Sequence, residues 1–122
     1  MARRDIVGAV NFAHLESYAG GDEAVIDEVL EIFREQLQMW LRLLDPNGPA
    51  QSWRDAAHTL KGSALGVGAF DLAEACGAAE LAQDAGLGQR IIQLERIRTT
   101  ADAALSDIAA YAHERALQSL KG

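Results

Sequence analysis

One histidine, with a lysine and a glycine shortly after it, is the part of this chain best suited to chemistry. Ala57–Ala64 contains His58, Lys61 and Gly62, and on a helix the third and fourth residues after His58 share its face. Neutral imidazole is a nucleophile near neutral pH. Lys61 adds positive charge beside it, and Gly62 omits the side chain that would lean back over the ring. The spacing therefore predicts an accessible histidine that another molecule must approach closely.

The helix that carries His58 has its apolar residues on the opposite side. Trp53, Ala57, Leu60, Ala64 and Val67 follow one another at steps of four and three residues, which is the pattern of a buried helical stripe. At about 100° per residue, His58 and Gly62 lie roughly opposite the centre of that stripe. We therefore expect His58 to face solvent.

These residues are similar to those of a known family. His58-x-Leu60-Lys61-Gly62-Ser63-Ala64, followed by Gly68-Ala69, resembles the histidine-containing phosphotransfer (HPt) domain of bacterial and fungal phosphorelays. Glu80 falls on the next helix, where that family often has an acidic or amide residue. The resemblance is densest from Ala57 to Glu80.

The resemblance implies a role for each residue of the motif. His58 would take a phosphoryl group on Nε2 from an aspartyl phosphate of a receiver domain and return it to another receiver. Glu80 would accept a hydrogen bond from Nδ1, or otherwise be a surface charge. Lys61 and Ser63 would contact the phosphoryl oxygens, although Ser63 can also bond back to a helix carbonyl. The implied partners are receiver domains of response regulators or hybrid histidine kinases, and Mg²⁺ would come from the partner, with no cofactor bound tightly.

The chain has no glycine-rich nucleotide loop and no set of kinase motifs. It therefore supplies a nucleophile without a nucleotide site, which is typical of a phosphocarrier rather than a kinase. Two alternatives remain open. One is a helical adaptor that binds receiver or kinase domains without phosphorylation. The other is a metal site that uses Asp55 and His58, although a di-iron bundle needs inward Glu-x-x-His pairs that this chain does not have.

Length and charge limit the classes of protein that fit. The chain has 122 residues, enough for one domain with a single core, and a formal net charge of −7. A general nucleic-acid binder needs a basic face, so this charge argues against one. Cys76 is the only cysteine and is expected to be a buried thiol. No apolar run approaches the roughly 20 residues of a membrane span, so we expect a cytoplasmic protein. We also expect a monomer, since nothing in the sequence demands a homodimer.

The remaining periodicity predicts an all-α protein, with four main helices in an up-down-up-down bundle and a short extra helix at the N-terminus. We expect residues 1–10 to be a loose lead-in and Asn11 to cap a helix that runs to Tyr18. Asp22 should cap a long helix that runs to about Leu44. We expect Val25 to widen the apolar stripe of this helix. The turn Asp45–Pro49 precedes the His58 helix, which should loosen around Gly66 and Gly68. Two further helices are expected over 70–85 and 89–117.

Overall fold

The computed structural model describes residues 7–82 and 84–121. All regular structure in these ranges is helical, so the predicted all-α class is confirmed. The helices are α1 (Phe12–Tyr18), α2 (Glu23–Leu43), α3 (Ala50–Val67), α4 (Phe70–Leu81) and α5 (Leu87–Lys121). The helices α2 to α5 form the bundle, in which α3 packs most extensively against α4 and α1 rests against α3. None of the described helices has the length and apolar character that a membrane span requires.

The first two helices begin at the predicted caps. The side chain of Asn11 accepts a hydrogen bond from the backbone N–H of His14 at 3.1 Å. Asp22 accepts from the N–H groups of Ala24 and Val25. Both caps satisfy backbone donors that have no partner inside the helix.

Helix α2 buries most of the apolar stripe that its sequence predicts, which comprises Ile26, Leu30, Phe33, Leu37, Trp40 and Leu44. Its fully buried members are Ile26, Leu30, Phe33 and Leu37. Trp40 is only partly buried. The expectation for Val25 is wrong, because this side chain is 39% exposed. Val25 lies about 100° from Ile26 around the helix, which places it beyond the edge of the stripe.

Helix α3 begins after Pro49 and continues past Gly66 to Val67, so it does not loosen at Gly66. It ends at Gly68, whose φ of +84° is a left-handed conformation that glycine adopts at low cost. A Cβ at Gly68 would lie 2.8 Å from the carbonyl oxygen of Asn11, so the chain here also approaches too closely for a side chain. All five residues of the predicted α3 stripe are buried.

The boundary between α4 and α5 differs from the prediction. Helix α4 ends at Leu81 rather than Ala85, and α5 begins at Leu87 rather than Gln89. The N–H of Ala82 bonds to the carbonyls of both Ala78 and Ala79, which tightens and closes the last turn. The side chain of Arg90 then fixes the start of α5, since its Nη1 donates to the carbonyl of Gly48 at 2.8 Å.

Residues 7–11, which we call the N-terminal hook, are bound to the bundle. The carboxylate of Asp107, fully buried on α5, accepts hydrogen bonds from the N–H groups of Val7, Ala9 and Val10 at 2.8, 2.7 and 3.2 Å. The described part of the expected loose lead-in is therefore held to the bundle, because three of its backbone donors have a buried acceptor. The rest of that lead-in, residues 1–6, lies outside the described residues.

Candidate functional site

His58 lies on the outward face of α3, as its helical phase predicted. Its side chain is 66% exposed, and Nδ1 lies 2.8 Å from Oε2 of Glu80 on α4. A carboxylate can only accept, so this contact requires the proton on Nδ1. The lone pair of the neutral imidazole is then on Nε2. The geometry provides an accessible nucleophilic nitrogen on a ring whose tautomer is fixed by a neighbouring helix.

Glu80 also faces a lysine. The Nζ of Lys61 lies 4.0 Å from Oε1 of Glu80, so the two carboxylate oxygens face two different groups of α3. The side chain of Glu80 is only 16% exposed, which limits competition by water for its oxygens. Gly77, one turn before Glu80, lies beneath the Lys61 chain: a Cβ there would be 3.8 Å from Cδ of Lys61. The structure therefore brings His58, Lys61 and Glu80 together.

Gly62 is exposed, and a Cβ built on it would meet no heavy atom within 4 Å of neighbouring elements. Close helix packing therefore does not account for this glycine. Glycine in a helix interior costs about 1 kcal/mol relative to alanine. Access to the imidazole on the same face remains a local reason for that cost.

Ser63 lies on the other side of α3. Its hydroxyl donates to Oε1 of Gln36 on α2 at 2.9 Å, so this structure does not bring the hydroxyl together with His58 and Glu80. Gln36 was not among the predicted site residues. No local signal marks it, because the contact depends on how α2 and α3 pair in space.

The polar groups around Asp55 do not form the metal arrangement considered from the sequence. Oδ1 of Asp55 accepts from Nε2 of Gln51 at 2.8 Å, while Nδ1 of His58 faces Glu80 on the other helix. The two side chains of the Asp55-x-x-His58 pair therefore have separate partners. Of the other histidines, His14 contacts the ring of Phe70 edge-on, with ring centroids 5.4 Å apart.

Several apolar side chains of α2 and α3 are exposed. Leu65 on α3, with Ile32 and Met39 on α2, are each between two-fifths and half exposed. On α4, Cys76 is fully buried, as expected. Burial raises the pKa of the Cys76 thiol to about 12, against an opposing effect of the Lys61 charge. The thiol is therefore part of the core and is protonated at neutral pH.

Comparisons with known proteins agree with this arrangement. The profile of the Hpt domain matches residues 24–119. The crystal structure of histidine phosphotransferase ShpA from Caulobacter crescentus is similar to this chain, with 56% sequence identity and a TM-score of 0.76. That similarity covers 93% of this chain and 99% of the other. A comparison with curated proteins gave no match.

The family match includes α3 and α4, on which the histidine and its carboxylate partner lie. It supports a phosphotransfer role in a phosphorelay, with receiver domains as the partners. The chain belongs to the family of Hpt domains.

Proposed function

We propose that His58 is the residue that carries the phosphoryl group. The observation that carries this proposal is the contact of Nδ1 with Glu80, which leaves Nε2 of an exposed ring as the nucleophile. Nε2 attacks the phosphorus of an aspartyl phosphate on a receiver domain. The N–P bond forms as the P–O bond to the aspartate breaks, and the aspartate leaves as a carboxylate. Transfer to a second receiver is the reverse of this step.

The supporting residues act through charge and access. Glu80 keeps the proton on Nδ1 throughout, so the imidazole need not reorient during attack. Lys61 lies close enough to Glu80 to offset its negative charge when a phosphoryl group arrives, and can turn toward the phosphoryl oxygens. Gly62 leaves room for the partner. Ser63 stays a weaker candidate, because its hydroxyl is engaged by Gln36.

The Mg²⁺ ion that neutralises the transferring group would come from the receiver domain. The protein itself would then act as a carrier and not as a kinase. We further propose that it works as a monomer in the cytoplasm, where the ATP that feeds a relay is found.

The decisive experiment mixes the protein with a panel of receiver domains, phosphorylated on aspartate, in the presence of Mg²⁺. We expect an acid-labile, base-stable phosphoryl group on His58 that can be passed to a second receiver. His58→Gln should lose this label while it keeps its helicity and its binding to receivers. Label on the glutamine variant would show that another residue is the nucleophile. Receiver binding without any label on the wild type would favour the adaptor function instead.

A further inference from the structure

The face of the bundle formed by α2 and α5 lies away from His58. Each of α3 and α4 packs against its neighbours in the chain, and α2 and α5 also meet, which closes the bundle. His58 and its partner Glu80 lie on α3 and α4. In a bundle of four helices, the face formed by one neighbouring pair is opposite the face formed by the other pair. A protein bound between α2 and α5 would therefore leave the imidazole accessible.

A groove runs between α2 and α5 on this opposite face. It has a volume of about 230 Å³, and we call it the α2–α5 groove. Its lining consists of residues from both helices, namely Arg34, Gln38, Leu105, Ile108, Ala109 and Ala112. The two helices pack against each other less extensively than the other neighbouring pairs of the bundle, so a groove remains between them. The ion pair between Arg115 and Asp27 joins them beyond Ala112.

The floor of the α2–α5 groove is apolar surface that the bundle does not cover completely. Ile108 is buried, whereas Leu105 is partly buried and Ala109 and Ala112 are exposed. Leu105, Ala109 and Ala112 follow one another at steps of four and three residues, so they share one side of α5. The alanine side chains leave room for a further helix to approach α5 closely. The floor thus suits apolar side chains that repeat at helical spacing, as in the binding of a helix to a groove.

Arginine side chains border the floor on both helices. Arg34 lines the groove itself, and Arg42 is exposed about two turns later on α2. On α5, Arg98 is exposed about two turns before Leu105. Nη1 of Arg34 donates to Oε2 of Glu31 at 3.2 Å. A guanidinium group has five N–H donors, so Arg34 can bind a second carboxylate while it keeps this contact.

The charge around the groove differs from that of the whole chain. With Arg115, four arginines border the groove, against the three acids Asp27, Glu31 and Asp102. This border is therefore slightly positive, on a chain with a formal net charge of −7. At physiological ionic strength charges are screened over about 8 Å, so a segment in the groove responds mainly to this border. Aspartate or glutamate beside an apolar stripe would complement it.

We propose that the α2–α5 groove binds an acidic amphipathic helix of a further protein, other than the receiver domain. The apolar residues of that helix would lie on Leu105 and Ala109, and a flanking carboxylate would pair with Arg34. None of the residues that line the groove belongs to α3 or α4, so this inference goes beyond the proposed function and does not depend on it. A partner held here would remain bound while His58 exchanges its phosphoryl group with a receiver.

The test uses two synthetic helical peptides of about 18 residues, or about 27 Å in length. Both carry the same stripe of leucines, which is flanked by glutamates in one peptide and by lysines in the other. Fluorescence anisotropy measures the dissociation constant of each peptide with the protein. We expect the glutamate peptide to bind about tenfold more tightly. Arg34→Glu should reverse this preference, whereas the control Arg96→Glu should keep it, because Arg96 pairs with Glu74 on α4.

Filling the floor gives a second comparison that leaves the charges unchanged. Ala112→Gln places a larger side chain in the groove and should weaken binding of the glutamate peptide about tenfold. Ala13→Gln, at an exposed position on α1, serves as the control, and circular dichroism should show unchanged helicity in both variants. Transfer from a phosphorylated receiver to His58 should keep its wild-type rate in Ala112→Gln and in the presence of saturating glutamate peptide.

The outcomes separate this inference from the proposed function. No binding of either peptide, tighter binding of the lysine peptide, or affinities unchanged in Arg34→Glu and Ala112→Gln would overturn the groove proposal alone. Displacement of the peptide by a receiver would also overturn it, because the two would then share a face. A wild-type dimer that dissociates in Ala112→Gln would show that a second copy of the chain occupies the groove instead. Peptide binding as expected, on a protein that takes no label on His58, would overturn the transfer function and support the groove.

Discussion

Glu80 and His58 lie on different helices, and Oε2 of the glutamate is 2.8 Å from Nδ1 of the imidazole. Helix α3 therefore supplies the nucleophile, while α4 sets its tautomer. The relative position of two helices thus controls the chemistry of one ring. Changes to either partner should have distinguishable effects on transfer.

Replacement of Glu80 tests this division directly. Glu80→Ala should slow transfer to His58 about tenfold. Without the carboxylate the imidazole is no longer held in its reactive orientation, which we expect to raise the activation barrier by roughly 1.4 kcal/mol. Glu80→Gln should stay within a few-fold of the wild type, since its amide oxygen can still accept from Nδ1. Single-turnover transfer from one phosphorylated receiver measures both rates. An alanine variant as fast as the wild type would mean that Glu80 does not orient the ring.

Gly62 allows a test of access to the imidazole. Gly62→Gln should slow transfer, because a helical side chain at this position leans back toward His58. Gly62→Ala is the matched control: it adds only a Cβ, for which the structure has space. Both variants should gain about 0.5–1 kcal/mol of stability from the removal of an interior glycine. Equal transfer rates for glutamine, alanine and wild type would refute the role of access, whatever the change in stability.

The buried carboxylate of Asp107 should contribute strongly to stability. Asp107→Asn places an amide where backbone N–H groups of the hook now donate, and hydrogen bonds to charged groups are worth about 1.5–3 kcal/mol each. We expect a loss of about 3 kcal/mol in the free energy of unfolding, measured by urea denaturation. Asp102→Asn, at an exposed position of the same helix, should change stability by less than about 0.5 kcal/mol. Equal midpoints for the two variants would contradict this expectation.

The raised pKa of Cys76 makes stability depend on pH in the alkaline range. The unfolded thiol ionises near its ordinary pKa of 9.0, while the folded thiol stays protonated up to about pH 12. Between these values the unfolded state binds fewer protons, so the free energy of unfolding falls as pH rises. The slope is about 1.4 kcal/mol per pH unit for this one group.

The contribution of Cys76 is isolated by the difference between the wild type and Cys76→Ala, measured by denaturation at several pH values. The alanine variant should be less stable at pH 8, because it leaves a cavity, and its curve should approach that of the wild type as pH increases. Parallel curves would show that the thiol does not titrate in this way. At pH 8 the native thiol should also resist alkylation, in contrast to the denatured chain.

The predicted helices α2 and α3 match the structure closely because their buried residues repeat at steps of four and three. For α5 the sequence predicts a buried stripe of Leu94, Ile97, Ala101, Leu105, Ile108 and Ala112. This prediction is wrong at two positions, because Leu105 is only partly buried and Ala112 is exposed, while Ala104 and Tyr111 are buried instead. The observed stripe consists of Leu94, Ile97, Ala101, Ala104, Ile108 and Tyr111, which alternate strictly at steps of three and four residues. Such alternation corresponds to a repeat of about 3.5 residues. That is the repeat of helices that wind around their neighbours, and it departs from the 3.6-residue period of a straight helix. Over the 35 residues of α5, the difference between repeats of 3.5 and 3.6 residues is enough to move the buried face around the helix.

The site was predictable to the extent that it is local. His58, Lys61 and Gly62 share one helix, so their spacing specified their common face. The contact with Glu80 came from the family resemblance, since it joins residues 22 positions apart. The bond from Ser63 to Gln36 and the role of Asp107 were not predicted, because the first depends on helix pairing and the second on backbone donors about 100 positions away. The one sequence signal for Asp107 is its position: an acidic residue directly precedes Ile108, which is buried.

The hook also constrains the order of folding. Its acceptor lies 97–100 residues after its donors, so the first described residues of the chain complete their hydrogen bonds with a helix that is made much later. Closing a loop of this length has a large entropic cost, which local helix contacts do not share. The bundle should therefore assemble before the hook attaches to it. During translation the N–H groups of the hook stay hydrated until Asp107 has left the ribosome, so the hook attaches only after this part of α5 has been made.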